Sequence, residues 1–157
     1  MDGPAQTAHV VLLHFGRTRV ALSGRAVRSL EAATDVVFSG APSGAHGTIE
    51  SHGVQWPVYA LDEELAPLRD VPHERRTCAL LATDQGLFGL LCDEAQVVPR
   101  HSVSAHPLPL AMRRPGSPLE GVLNIGEGVA VLSSARALAA VLGVDPKAAT
   151  SHAPESK

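Results

Sequence analysis

Apolar residues recur at every second position along much of this chain. In HVVLLHF (residues 9–15), Val11, Leu13 and Phe15 share one face; GRTR turns the chain, and Val20 and Leu22 answer at the same period, which predicts a hairpin. Val27 and Leu30 in RAVRSLEA stand three apart, the spacing of one helical turn. A loop, VFSGAPSGAHG, follows. In GTIESHGVQWPVYAL (residues 47–61) two extended runs meet at His52-Gly53, with Val54, Trp56, Val58 and Ala60 on one face and Gln55, Pro57 and Tyr59 on the other. Pro57 cannot donate to a ladder, so this strand is expected at an edge or bulged. LDEELAPL suggests a short helical turn begun by Asp62 and ended before Pro67.

RTCALLATDQGLFGLLCDEAQVV is the longest β signal, apolar on both faces, with Asp84-Gln85-Gly86 as a three-residue hairpin loop. After a Pro-rich passage come short strands at 119–125 and 129–132, joined through Gly126–Gly128. SSARALAAVLG then places Ala135, Leu138, Ala139 and Leu142 on one helical stripe, with a serine start and a stop at Gly143. About nine strands and one helix, without βα alternation, point to small barrels or a sandwich. Residues 1–6 and 144–157 read as disordered tails around an ordered stretch, residues 7–143.

A chain of 157 residues forms one domain of ordinary size or two small lobes sharing a core. With 45% hydrophobic but only 3% aromatic residues, that core must be built from Val, Leu and Ala. A net charge of −3 gives no footprint for a polyanion, and the scarce aromatics leave few platforms for bases, so nucleic acid is not expected as a partner. The start lacks a basic stretch followed by an apolar one, and no apolar run approaches the roughly 18 residues that span a bilayer. A soluble, cytoplasmic protein without membrane insertion is expected.

The eight histidines include no H-x-H or H-E-x-x-H, and the two cysteines no C-x-x-C, so no metal site or cofactor is assigned. His46 with His52, or His101 with His106, could still meet in space. GAPSG around Ser43 is not a nucleophile elbow, and GVLNIG lacks the Lys-Ser/Thr of a phosphate loop. No constellation supports an enzyme; a small metal-dependent hydrolase of β architecture is motivated by the histidine count alone. With Asp84-Gln85-Gly86 as the loop, Cys78 faces Cys92 across the ladder. A cross-strand disulfide is conceivable there, and two reduced, buried thiols are the simpler expectation.

GTIESHGVQWPVYAL resembles the hairpin of the CheW-like chemotaxis coupling proteins, which reads approximately G-V-I-N-L-R-G-x-I-V-P-V-I-D-L; the matching positions are Gly47, Ile49, Gly53, Pro57, Val58 and Leu61. Val27 and Leu30 resemble that family's V-x-x-I, FGLLCDEAQVV its G-L-x-V-D-x-V with Gly89 and Asp93 in register, and LEGVLNIGEGVAVL its I-x-G-V, around Gly121, with the final strand. The likeness spans residues 9–143. It implies a mainly β fold of two small five-stranded barrels packed side by side with short helices. It also implies a non-catalytic scaffold in bacterial two-component signal transduction, linking the cytoplasmic tips of chemoreceptors to the regulatory domain of a CheA-type histidine kinase.

The departures are polar. His52 stands for the family arginine, Glu50 for asparagine, Ala60 for the aspartate before the closing leucine, and Ser133 for an aspartate after the last strand. Such positions are expected to face a partner, and arginine's planar five-donor fork is not reproduced by an imidazole. The resemblance thus proposes Glu50, His52, Gly53, Gln55 and Tyr59 as partner-binding, and Gly47, Ile49, Pro57, Val58, Leu61, Gly89 and Gly121 as framework. An adaptor of this fold that binds another output protein is the alternative.

Overall fold

The computed structural model describes residues 9–38, 44–84 and 86–144 and the backbone of residues 150–151. These described residues form twelve strands and one α-helix: β1 (His9–Phe15), β2 (Thr18–Ser23), β3 (Val27–Ala32), β4 (Gly47–Ser51), β5 (Val54–Ala60), β6 (Thr77–Thr83), β7 (Gly86–Cys92), β8 (Glu94–Pro99), β9 (Val103–Pro107), β10 (Gly121–Ile125), β11 (Gly128–Leu132), α1 (Ala135–Leu142) and β12 (Thr150–Ser151).

Two curled sheets result. The first runs β8-β1-β2-β11-β10-β9, and β8 continues through a 3₁₀ turn (Arg100–Ser102) into β9, so one bent segment supplies both ends of the sheet. The second runs β12-β5-β7-β6-β3 with β4 also on β5, and the chain leaving β3 bridges Val37 to Thr48 of β4. Counting each bent segment once, and setting the two-residue β12 aside, gives the two five-stranded lobes that the resemblance implies.

Alternation along the strands builds three apolar clusters. Val10, Leu12, Ala21, Val98, Leu123 and Ala130 fill the first lobe. Ile49, Trp56, Val58, Ala60, Cys78, Leu80 and Leu91 fill the second. The intervening residues of the same strands, among them Val11, Leu13, Phe15, Tyr59, Leu81, Phe88 and Leu90, meet in a shared core that α1 covers with Ala135, Leu138 and Ala139. Each buried aliphatic or Phe contributes roughly 1.5 to 3 kcal/mol, so the shared core locks the lobes together. The helix is capped as its sequence predicts: the Ser134 hydroxyl accepts from the Ala137 N–H, and Gly143 closes it at φ 69°.

The chain builds this ladder twice. Pairing of β1 with β2, β1 with β8 and β2 with β11 is repeated by β6 with β7, β6 with β3 and β7 with β5. The hairpins β4–β5 and β10–β11 correspond: Gly47 opposes Val58 as Gly121 opposes Leu132. A Cβ on Gly47 would collide with the Val37 carbonyl, and one on Gly121 with the His106 carbonyl, which explains both framework glycines in the same way. The halves exchange strands, since β1 and β2 complete the lobe of β8–β11 while β6 and β7 complete that of β3–β5.

Several expectations are corrected. Residues 27–32 form strand β3, not a helical turn; Ser29 and Glu31 occupy the half-buried face and bond to each other at 2.8 Å, while Leu30 points outward. Asp62 starts no helix: its Oδ1 accepts from the Glu64 and Ala66 N–H groups, and Leu65 sits at φ 62°. Strand β5 is not an edge. Thr48 exchanges both backbone bonds with Val37, so its partner Pro57 turns its missing donor away from β4, to where β5 passes from β12 to β7. The β6–β7 loop is one residue shorter than expected, with Thr83 opposite Gly86; Cys78 therefore faces Leu91 and Cys92 faces Thr77, on opposite sides of the hairpin. Both thiols are free and buried. Within the stretch read as a C-terminal tail, Val144 is half-buried against the shared core and Thr150–Ser151 pairs with β5; residues 1–6, 145–149 and 152–157 lie outside the described residues.

Candidate functional site

At the tip of β4–β5, His52 (φ 52°) and Gly53 (φ 78°) both take left-handed backbone, the pattern of a type I′ turn. The exposed His52 ring lies with Nδ1 3.1 Å from the Ser51 hydroxyl. Glu50 is exposed, opposite Gln55 on the ladder. Four of the five proposed contact residues, Glu50, His52, Gly53 and Gln55, thus share one end of this hairpin. Tyr59 does not. It is 2% exposed in the shared core and meets Phe88 edge-to-face at 6.2 Å, so its proposed surface role is corrected to packing. Ala60 and Ser133, expected at a partner surface, are also buried. The framework residues Ile49, Val58 and Leu61 lie in the cores, Pro57 is buried, and Gly89 is packed against Cys78 and Val58.

Features that residue-by-residue reading passed over stand out in three dimensions. A groove of about 880 Å³ opens beside the second lobe, walled by the 3₁₀ turn after β3, Phe38, His46 and residues 69–73, 75 and 76. Phe38 is 53% exposed there. The apolar VVF preceding the glycine-rich loop and the HERR run before β6 were the available signals. In the first lobe, Leu110 is 82% and Met112 63% exposed, beside a smaller cavity of about 320 Å³ lined by Leu108, Met112, Arg114, Ser117 and Leu119.

A polar knot joins the lobes next to the groove. The buried Arg75 guanidinium pairs with Asp93, donates to the Leu61 carbonyl at 3.0 Å and stands 5.7 Å over the Phe15 ring. The other Asp93 oxygen accepts from the Gly16 N–H at 2.7 Å, and Glu63 accepts from the Arg17 N–H at 3.0 Å. These bonds tie the β1–β2 turn to the segment after β5.

Among the described residues no three or more His, Cys, Asp or Glu side chains are grouped to hold a metal ion. His106 bonds Ser104 at 3.2 Å and Asn124 at 3.1 Å, and His46 lines the groove. No described helix is long and apolar enough to cross a membrane.

Interlocked five-stranded barrels around a shared core define a CheW-like fold. A crystal structure of the scaffolding protein TtCheW from Thermoanaerobacter tengcongensis matches with TM-score 0.60 and 16% sequence identity, over 81% of this chain and 88% of that one. No protein-family model matches the chain, and no curated protein matches it in sequence.

Proposed function

We propose that the protein is a non-catalytic adaptor coupling chemoreceptor tips to the regulatory domain of a CheA-type histidine kinase, acting in the cytoplasm at receptor arrays. The observation that carries this proposal is duplication of exposed apolar surface. Leu30, opposite Ala79 on one edge strand, and Val97, opposite Val11 on the other, occupy equivalent ladder positions and are both exposed. The second lobe adds Phe38, the first Leu110 and Met112. One such patch caps a partner; one on each lobe lets a small chain hold two partners at once. The shared fold with a scaffolding protein supports this function.

The test is calorimetric titration of the full chain with the purified regulatory domain of a CheA-type kinase from the same organism. Saturable binding at about ten micromolar or tighter is expected, with His52→Arg strengthening it at least about twofold through a charge-assisted contact. No heat at tens of micromolar would overturn the kinase assignment.

A second reading, an adaptor of the same fold whose client is another output protein, is favoured by the tip chemistry. His52 offers at most two donors and engages Ser51, where an arginine would present five. Binding unchanged by His52→Arg would remove this tip from the kinase interface and support the second reading.

A further inference from the structure

The groove beside the second lobe combines an apolar floor with unpaired positive charge. Its lining includes Ala33, Phe38, Val71 and Pro72 together with Arg69 and Arg76. Both arginines are exposed, and neither makes a side-chain hydrogen bond or ion pair among the described residues. The neighbouring Arg75 is neutralised by Asp93, and Asp70 is the one carboxylate among the lining residues. Of the two lining imidazoles, His73 lies 3.4 Å from Glu74, outside the lining, and His46 is half-buried.

The lining offers apolar side chains beside two guanidinium groups, and an amphipathic helix meets such a wall through its side chains, as a helix in a groove does. We infer that this groove receives an acidic amphipathic helix of a partner protein, its apolar stripe on Phe38 and Val71 and its carboxylates on Arg69 and Arg76. A second copy of this chain is a poor occupant. Its protruding apolar segment, Leu110 and Met112, is followed by Arg113 and Arg114 and would bring like charge to the groove.

The inference does not depend on which partner the adaptor serves, so its failure leaves the kinase titration untouched. Fluorescence anisotropy on the full chain would compare three labelled synthetic helical peptides. The first carries leucines at i, i+3, i+4 and i+7 flanked by glutamates, the second replaces the glutamates by lysines, and the third replaces the leucines by serines. The first should bind, and the other two at least about tenfold more weakly. Arg69→Glu combined with Arg76→Glu should reverse the preference between the acidic and lysine peptides, and Phe38→Ser should weaken the acidic peptide about tenfold. Equal binding of the serine peptide would reduce the groove to general attraction for polyanions and overturn the proposal. So would tight binding of the lysine peptide, an acidic peptide insensitive to the arginine reversal, or no binding by the native chain.

Discussion

The two halves of this chain build the same ladder and finish it differently. Strands β4 and β10 share one burial sequence, with Gly47 and Gly121 buried at the start and Ile49 and Leu123 buried two residues on. Beyond the shared ladder they part. After β11 the chain folds into α1; after β5 it makes an Asp62-centred turn whose Leu65 also enters the shared core. The position after β7 holds the half-buried Asp93, paired with the buried Arg75, while its counterpart after β2 is the exposed Arg25. Packing fixes where backbones cross and leaves junctions and turn tips free to acquire separate chemistry.

The largest expected effect concerns titratable groups that only one half encloses. Cys78 and Cys92 occupy places held in the first half by Val10 and Gly24. Burial pushes both thiols up to about 12, helped for Cys78 by Cys92 and for Cys92 by Asp93. Well below pH 9 the thiols are protonated whether folded or not. Between pH 9 and 12 the unfolded chain releases these protons and the folded chain keeps them, so stability falls as pH rises. The loss should reach about 3 kcal/mol for the pair by pH 10, and urea midpoints across this range should flatten by half in either Cys→Ala variant. An unchanged slope would place neither thiol in an enclosed core.

Removing the one-sided junction comes next. Asp93→Ala leaves the Arg75 guanidinium buried without its carboxylate and should cost about 3 kcal/mol in urea denaturation. Replacing Arg75 by Met in the same chain should recover most of that loss, since the unpaired charge is then gone. A smaller effect tests the equivalence of the halves directly. Gly47→Ala and Gly121→Ala each drive a methyl against a crossing carbonyl and should cost about 2 kcal/mol apiece. A large cost at one and none at the other would show that the two hairpins are not built alike.

Most of the strand order was legible because the periodicity is strong where one face of a strand is buried. It failed where polar residues took the inner face. In β3 the half-buried positions are Val27, Ser29 and Glu31, so the two aliphatics fell three apart and resembled a helical turn. It also failed where both faces are buried, as in β6–β7, because a strand apolar on both sides carries no alternation to fix its register, and a one-residue slip moved Cys92 to the other side of the hairpin. The tip residues Glu50, His52, Gly53 and Gln55 could be brought together from local spacing. The groove could not, since it joins Phe38 to Arg69 and Arg76 across a gap in sequence that only the ladder closes.

The smallest effect returns to the two hairpin tips. His52 and Gly126 occupy the same ladder position with nearly the same φ, 52° and 55°, although the next residue has a positive φ in the first turn (Gly53) and not in the second (Glu127), and only the glycine adopts that φ without strain on a β-carbon. Asn-Gly is the preferred sequence for a type I′ turn, so His52→Asn should stabilise the fold by about 0.5 kcal/mol, read as a shift in the urea midpoint. The converse change, Gly126→His, should cost about 1 kcal/mol. If His52→Asn stabilises the fold and at the same time weakens kinase binding, the strained imidazole is retained at the tip for contact. Stabilisation without any loss of binding would instead assign His52 to a tolerated solvent position, and the difference between the two tips would have no part in recognition.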